Sequence, residues 1–147
     1  MKQEAATLFA AAVLGVTLAA CGFSSDELAD RWIEATEALD AEAVSDLFAV
    51  DAQLVDPAMR EPAMGRVAIY ASYSALFTFP DVAIEAGAPL VSADGEQITI
   101  EWVWSGTHPE TGTPYRVAGV SAFTVADGFI VEERSFYDPS RTPLGSG

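Results

Sequence analysis

Apolar residues follow two rhythms along this chain. In the first half they recur every three to four positions, and in the second half they alternate with polar ones. Leu28, Trp32, Ala35 and Leu39 fall on one helical face, so the spacing predicts a helix opening at Ser25-Asp26-Glu27-Leu28. Ser25 is its predicted cap, and Asp26 and Glu27 suit its positive end. A second short helix is expected over 41–48, where Val44, Leu47 and Phe48 cluster. Residues 53–56 form a short strand stopped by Pro57, followed by a loop over 58–62. A third helix over 65–77 takes Val67, Tyr70, Tyr73, Leu76 and Phe77 as its apolar side and ends at Phe79-Pro80-Asp81.

From there the pattern is β. Four long strands are predicted over 82–91, 97–107, 115–125 and 129–137. Ile98, Ile100, Trp102 and Trp104 alternate with Thr99, Glu101, Val103 and Ser105, the mark of a strand with one buried face. Asp94-Gly95 and Asp127-Gly128 are hairpin turn signals. Residues 139–147 are rich in Pro, Gly and Ser and read as a disordered tail. Three helices followed by an antiparallel meander make an α+β layout. A twisted sheet of this kind curls around its helices and leaves a conical space, a natural pocket.

The first twenty residues belong to a different category. Residues 5–20 are apolar apart from Thr7, Gly15 and Thr17, too short for a spanning helix but suited to a secretory signal. Leu18-Ala19-Ala20-Cys21 resembles the lipobox of bacterial lipoproteins, and Cys21 is the only cysteine. The resemblance implies cleavage before Cys21, a lipid on its sulfur, and attachment to the cell envelope; an ordinary secretory signal and an uncleaved anchor are the other readings. Residues 21–25 then act as a short tether, with the folded domain over 26–138.

Composition narrows the partners. Seven Lys and Arg against 22 Asp and Glu give a net charge of −15, which repels nucleic acid and anionic membrane surfaces. Half the residues are hydrophobic and a fifth are charged, the balance of a globular chain. One His and one Cys cannot build a zinc site, and no Walker loop or dinucleotide fingerprint occurs, so no metal or cofactor is expected. Carboxylate and imidazole acid–base chemistry in an apolar pocket is what the composition leaves.

Several segments, in order, resemble the nuclear transport factor two-like superfamily, on its ketosteroid isomerase and SnoaL-like polyketide cyclase side. They are Arg31-Trp32-Ile33-Glu34-Ala35, Leu54-Val55-Asp56-Pro57, the stretch from Arg60 to Tyr70, Phe79-Pro80-Asp81, Gly106-Thr107-His108, Asp127-Gly128-Phe129 and Tyr137-Asp138. The resemblance implies a cone-shaped α+β barrel, three helices packed on a curved, mostly antiparallel sheet. It makes Asp56 the candidate base, with His108 or Asp138 as the acid. Trp32 falls where the isomerases carry an oxyanion-hole Tyr, and Ser121 where they carry a protonated Asp. Both are weaker acids, so steroid isomerisation itself is not expected.

On strict alternation only one of Tyr137 and Asp138 faces the pocket. The isomerase alignment favours Tyr137, and the cyclase likeness favours Asp138. The expected walls are Trp32, Tyr73, Phe77, Trp102, Trp104 and Phe123. Glu101 and Glu133 either face inward or, as expected, lie on the convex outer face, which in this family often pairs subunits and is the candidate homodimer surface. The expected partner is a small hydrophobic molecule with a carbonyl or hydroxyl. The function is either cofactor-free acid–base catalysis or, without catalysis, an envelope module that binds a hydrophobic ligand or a protein.

Overall fold

The computed structural model describes residues 22–145. The signal segment and Cys21 lie outside the described residues.

Helix α1 (Ser25–Glu37) begins one residue earlier than its predicted cap allows. Ser24 is the N-cap, and with Glu27 it forms a reciprocal capping box. Ser25 instead sends its hydroxyl to the Gly95 carbonyl. The helix buries Leu28, Ala29, Trp32, Ala35 and Thr36. Helix α2 (Ala41–Ser45) is capped by Asp40 and stops short of Phe48, because the chain there extends into strand β1 (Phe48–Val55). A two-residue strand, β2 (Ala63–Met64), pairs with β1 before helix α3 (Arg66–Leu76) starts.

Helix α3 turns the later part of its predicted apolar side inward, with Tyr73 buried and Leu76 and Phe77 packed on the core, but not its start. Ile69 and Tyr73 are its buried residues, while Val67 is 83% exposed and Tyr70 is 44% exposed. Val67 and Tyr70 satisfy helical spacing, but so does the pair four residues apart that the core selects.

The single strand expected over 82–91 is two, β3 (Ala83–Ala86) and β4 (Leu90–Val91). Pro89 sits between them without an amide hydrogen to give to a ladder. Strands β5 (Gln97–Thr107), β6 (Pro114–Ala126) and β7 (Phe129–Phe136) follow the sequence pattern closely. The sheet runs β2-β1-β7-β6-β5-β3, with β4 also on β5. Strand β1 lies parallel to β7, so the sheet is a seven-stranded mixed one rather than a four-stranded meander. The curved sheet and three helices enclose one core that includes Phe48, Ile100, Phe123 and Ile130, and they form the α+β cone.

The tail corrects a second expectation. Residues Pro139–Arg141 and Pro143–Gly145 form short 3-10 turns, and Thr142 between them is buried. Asp138 caps the first of these turns. Local capping gives this Pro-rich segment the order that its composition argues against.

Candidate active site

Between the helices and the concave side of the sheet lies a cavity of about 230 Å³. Strand periodicity delivers its walls. On β5 the even-numbered residues point inward, bringing Trp102 and Trp104 to the cavity. On β6 the odd-numbered residues do so, which places Gly119 opposite Trp102 and Ser121 two positions on. A Cβ at Gly119 would overlap the six-membered ring of Trp102, so glycine is the residue that lets this indole lie flat on β6.

Strand β7 changes parity partway along. Val125 pairs with Ile130 and Thr124 with Glu132, leaving Val131 as an extra, unpaired residue. Before this bulge Ile130 is the inward residue; after it Glu133, Ser135 and Tyr137 are. A one-residue slip exchanges the faces of a strand. The bulge thus brings Glu133, expected on the convex face, to the cavity floor on the same parity as Tyr137. Glu101 does lie on the outer face and is exposed.

Glu133 is 2% exposed and held by two arms of matching chemistry. In one, the Trp32 indole donates to the Tyr73 hydroxyl at 3.1 Å, and Tyr73 donates to Glu133 Oε2 at 2.7 Å. In the other, the Trp102 indole donates to Ser121 Oγ at 3.0 Å, and Ser121 donates to Glu133 Oε1 at 2.9 Å. Ser135 Oγ adds a longer contact of 3.4 Å to Oε1. Burial pushes the Glu133 carboxyl up to about 7, a rise that the Tyr73 and Ser121 hydroxyls restrain and the nearby Asp56 charge reinforces. Burial and the Glu133 charge also hold the Tyr73 phenol well above its ordinary range. Trp32, through Tyr73, and Ser121 are therefore engaged in holding Glu133, where the resemblance placed them at oxyanion-hole positions.

Asp56 sits at the cavity mouth. Inward parity on β1 runs through Ala52 and Leu54 and continues to Asp56, just past the strand end. Its Oδ1 accepts from the Tyr137 hydroxyl at 2.8 Å and from the Ala58 amide at 2.8 Å. The second bond closes the turn begun by Asp56-Pro57, so one side chain both shapes the loop and faces the cavity. Burial raises its pKa, opposed by these two donors. Met59 and Leu144 are the apolar residues beside it at the rim.

Trp32, Tyr73, Trp102, Trp104, Ser121 and Tyr137, all candidates from sequence, line this cavity. Phe77 and Phe123 stand behind the lining. Phe77 packs on Tyr73 with ring centroids 5.6 Å apart, and Phe123 on Trp32 at 5.1 Å. His108 lies elsewhere, in the β5–β6 turn, where its Nδ1 accepts from the Glu110 amide at 3.3 Å and its backbone pairs with Thr113. Asp138 is exposed and turned away, accepting from the Ser140 amide and hydroxyl. Of the pair at the end of β7, the structure turns Tyr137 inward.

The α+β cone defines a fold class shared with known proteins. Residues 29–133 match the model of the SnoaL-like domain, and the chain belongs to that family. Solved structures agree on the fold. A hypothetical protein with a ketosteroid isomerase-like fold from Catenulispora acidiphila, in complex with trimethylamine, superposes with a TM-score of 0.68 at 23% identity, covering 78% of this chain and 88% of that one. SalBIII, an epoxide hydrolase/cyclase-like enzyme of pyran ring formation in the polyether salinomycin, gives 0.69 at 22%, over 80% of this chain and 92% of its own. A SnoaL-like polyketide cyclase candidate from Jannaschia sp. CCS1 gives 0.69 at 18%, over 82% and 92%. A search of curated protein sequences finds no match.

Proposed function

We propose that this chain is a cofactor-free acid–base enzyme, acting on a small, largely apolar compound that carries a carbonyl or hydroxyl. The observation that carries this reading is the pairing of two carboxyl groups on one cavity in unlike surroundings: Asp56 half-buried at the mouth and Glu133 fully buried on the floor. Such a pair divides the work of base and acid. Asp56 Oδ1 is taken up by Tyr137 and Ala58, which leaves Oδ2 to accept a proton from the substrate. Glu133, with a midpoint near neutrality, can hold or release a proton at working pH. A proton taken from carbon at the mouth and one returned to carbon or oxygen from the floor amount to isomerisation, cyclisation or dehydration, depending on the substrate. SnoaL-like membership and the cyclase-like fold neighbours support this range of chemistry.

The leader and Cys21 support a second element, attachment to the bacterial cell envelope through a lipid on Cys21. Two or more acyl chains anchor a protein stably where one does not. Cys21→Ser is expected to release the protein into the soluble fraction, and retention on membranes would contradict the anchor.

The test of the catalytic reading is a thermal-shift screen of the purified protein against small terpenoids, aromatic ketones and short fatty acids, with each hit then followed for turnover. A ligand at about 100 times its Kd adds about 2.7 kcal/mol of stability. Asp56→Asn is expected to keep the shift and lower turnover by about 10²–10⁴. Binding without turnover in either form would instead identify a carrier.

A further inference from the structure

The cavity contains acid without base. Asp56 and Glu133 line it, and no Lys, Arg or His does. Neither carboxyl has an ion-pair partner among the described residues; the salt bridges there, Arg116–Glu85 and Arg134–Glu132, lie at the surface. All the bonds that stabilise Asp56 and Glu133 come from neutral donors, the phenols, two serines and an amide. Buried carboxyls ordinarily acquire a cation or lose their charge. Glu133 takes the second course below about pH 7; where both groups are charged, the protein supplies no cation at the cavity.

The walls are suited to receive one. Trp32, Tyr73, Trp102, Trp104 and Tyr137 surround the space, and indole and phenol rings attract alkylammonium ions through their negative faces. A further lining residue, Thr36 on α1, is 1% exposed, and its Oγ1 has no hydrogen-bond partner among the described residues. A ligand with an oxygen function would satisfy it. Size sets the limit. A cavity of about 150 Å³ holds one benzene molecule; at about 230 Å³ this one accommodates one ring or a short branched chain, and a four-ring skeleton exceeds it. The net charge of −15 adds a long-range field that draws cations toward the protein.

Resting on the reading of this cavity as the ligand site, we infer that its ligand is a small organic cation, an amine or quaternary ammonium compound that also bears a hydroxyl or carbonyl. The cationic group lies among the aromatic rings and offsets the carboxyl charge. Its oxygen function reaches Thr36.

The test compares two probes of nearly the same shape, choline and 3,3-dimethylbutan-1-ol, which differ by a positive nitrogen in place of a carbon. Calorimetric titration of the purified protein at pH 8 gives the affinity for each. Choline is expected to bind at least about tenfold more tightly, equivalent to about 1.4 kcal/mol. Asp56→Asn and Glu133→Gln are each expected to shrink that preference while leaving the alcohol within about twofold; because Glu133 is buried in a network, Asp56→Asn is the variant that must fold for the test to count. Equal or tighter binding of the alcohol would overturn the cation while leaving the cavity as a ligand site. Binding of neither probe would overturn both readings.

Discussion

Asp56 and Glu133 carry the same functional group into the same cavity, yet the protein treats them differently. Asp56 stands half-buried at the rim and accepts from the Tyr137 hydroxyl and from a backbone amide, a fixed donor that favours its charged form. Glu133 is sealed on the floor and leans on hydroxyls, which can accept a hydrogen bond as readily as they give one. A hydroxyl network therefore tolerates both protonation states of its carboxyl, while an amide commits its partner to charge. On the proposed reading, the difference in donors, as much as the difference in depth, suits one carboxyl to act as base and the other as proton reserve.

Removing the floor carboxyl should break this contrast most visibly. At pH 5, where Glu133 is neutral, Glu133→Ala leaves the Tyr73 and Ser121 hydroxyls without their acceptor, and a loss of about 4 kcal/mol in urea unfolding is expected from two such buried groups. A loss under about 1 kcal/mol would show that the network matters little to the fold.

Titration sharpens the comparison next. The folded Glu133 binds its proton up to about pH 7, whereas the unfolded carboxyl releases it near 4.5. Between these values the native state holds more protons, so stability falls as pH rises and levels off above 7. Wild type should lose about 3 kcal/mol relative to Glu133→Gln across that window. Parallel pH profiles for the two proteins would remove the floor carboxyl from the account.

Two smaller effects follow. Gly119→Ala pushes the Trp102 ring off β6 and should cost about 1–3 kcal/mol, with a red-shifted tryptophan emission as water reaches the indole. Asp56→Asn keeps the oxygen that receives the Ala58 amide, so its stability should change by less than about 1 kcal/mol even as turnover collapses. A large stability loss there would make Asp56 a structural turn residue first.

The contrast also marks the limits of reading the chain without its fold. Asp56 is legible because alternation along Ala52 and Leu54 carries directly to it, and Pro57 announces the strand end. Glu133 is hidden by one extra residue, Val131, whose bulge reverses the parity of everything after it. Ile130 and Tyr137, both inward, have opposite parity and so require a slip between them, but alternation alone does not say at which residue it falls. Tyr73 was readable as an inward residue, but its hydroxyl role depends on Glu133. Val67 and Tyr70 mislead for another reason: apolar spacing defines a helical face but does not say which of two overlapping faces the core will take. The tail misleads through composition, since Asp138 and Thr142 supply local hydrogen bonds that a count of Pro and Gly cannot register.

The account rests on a floor carboxyl that holds its proton near neutrality. Carbon-detected NMR titration of the Glu133 side chain, in protein labelled at glutamate Cδ and assigned by Glu133→Gln, measures that midpoint directly. A transition near pH 7 is the expected result. A midpoint near 4.5, the value of a solvated glutamate, would contradict the division of labour between mouth and floor.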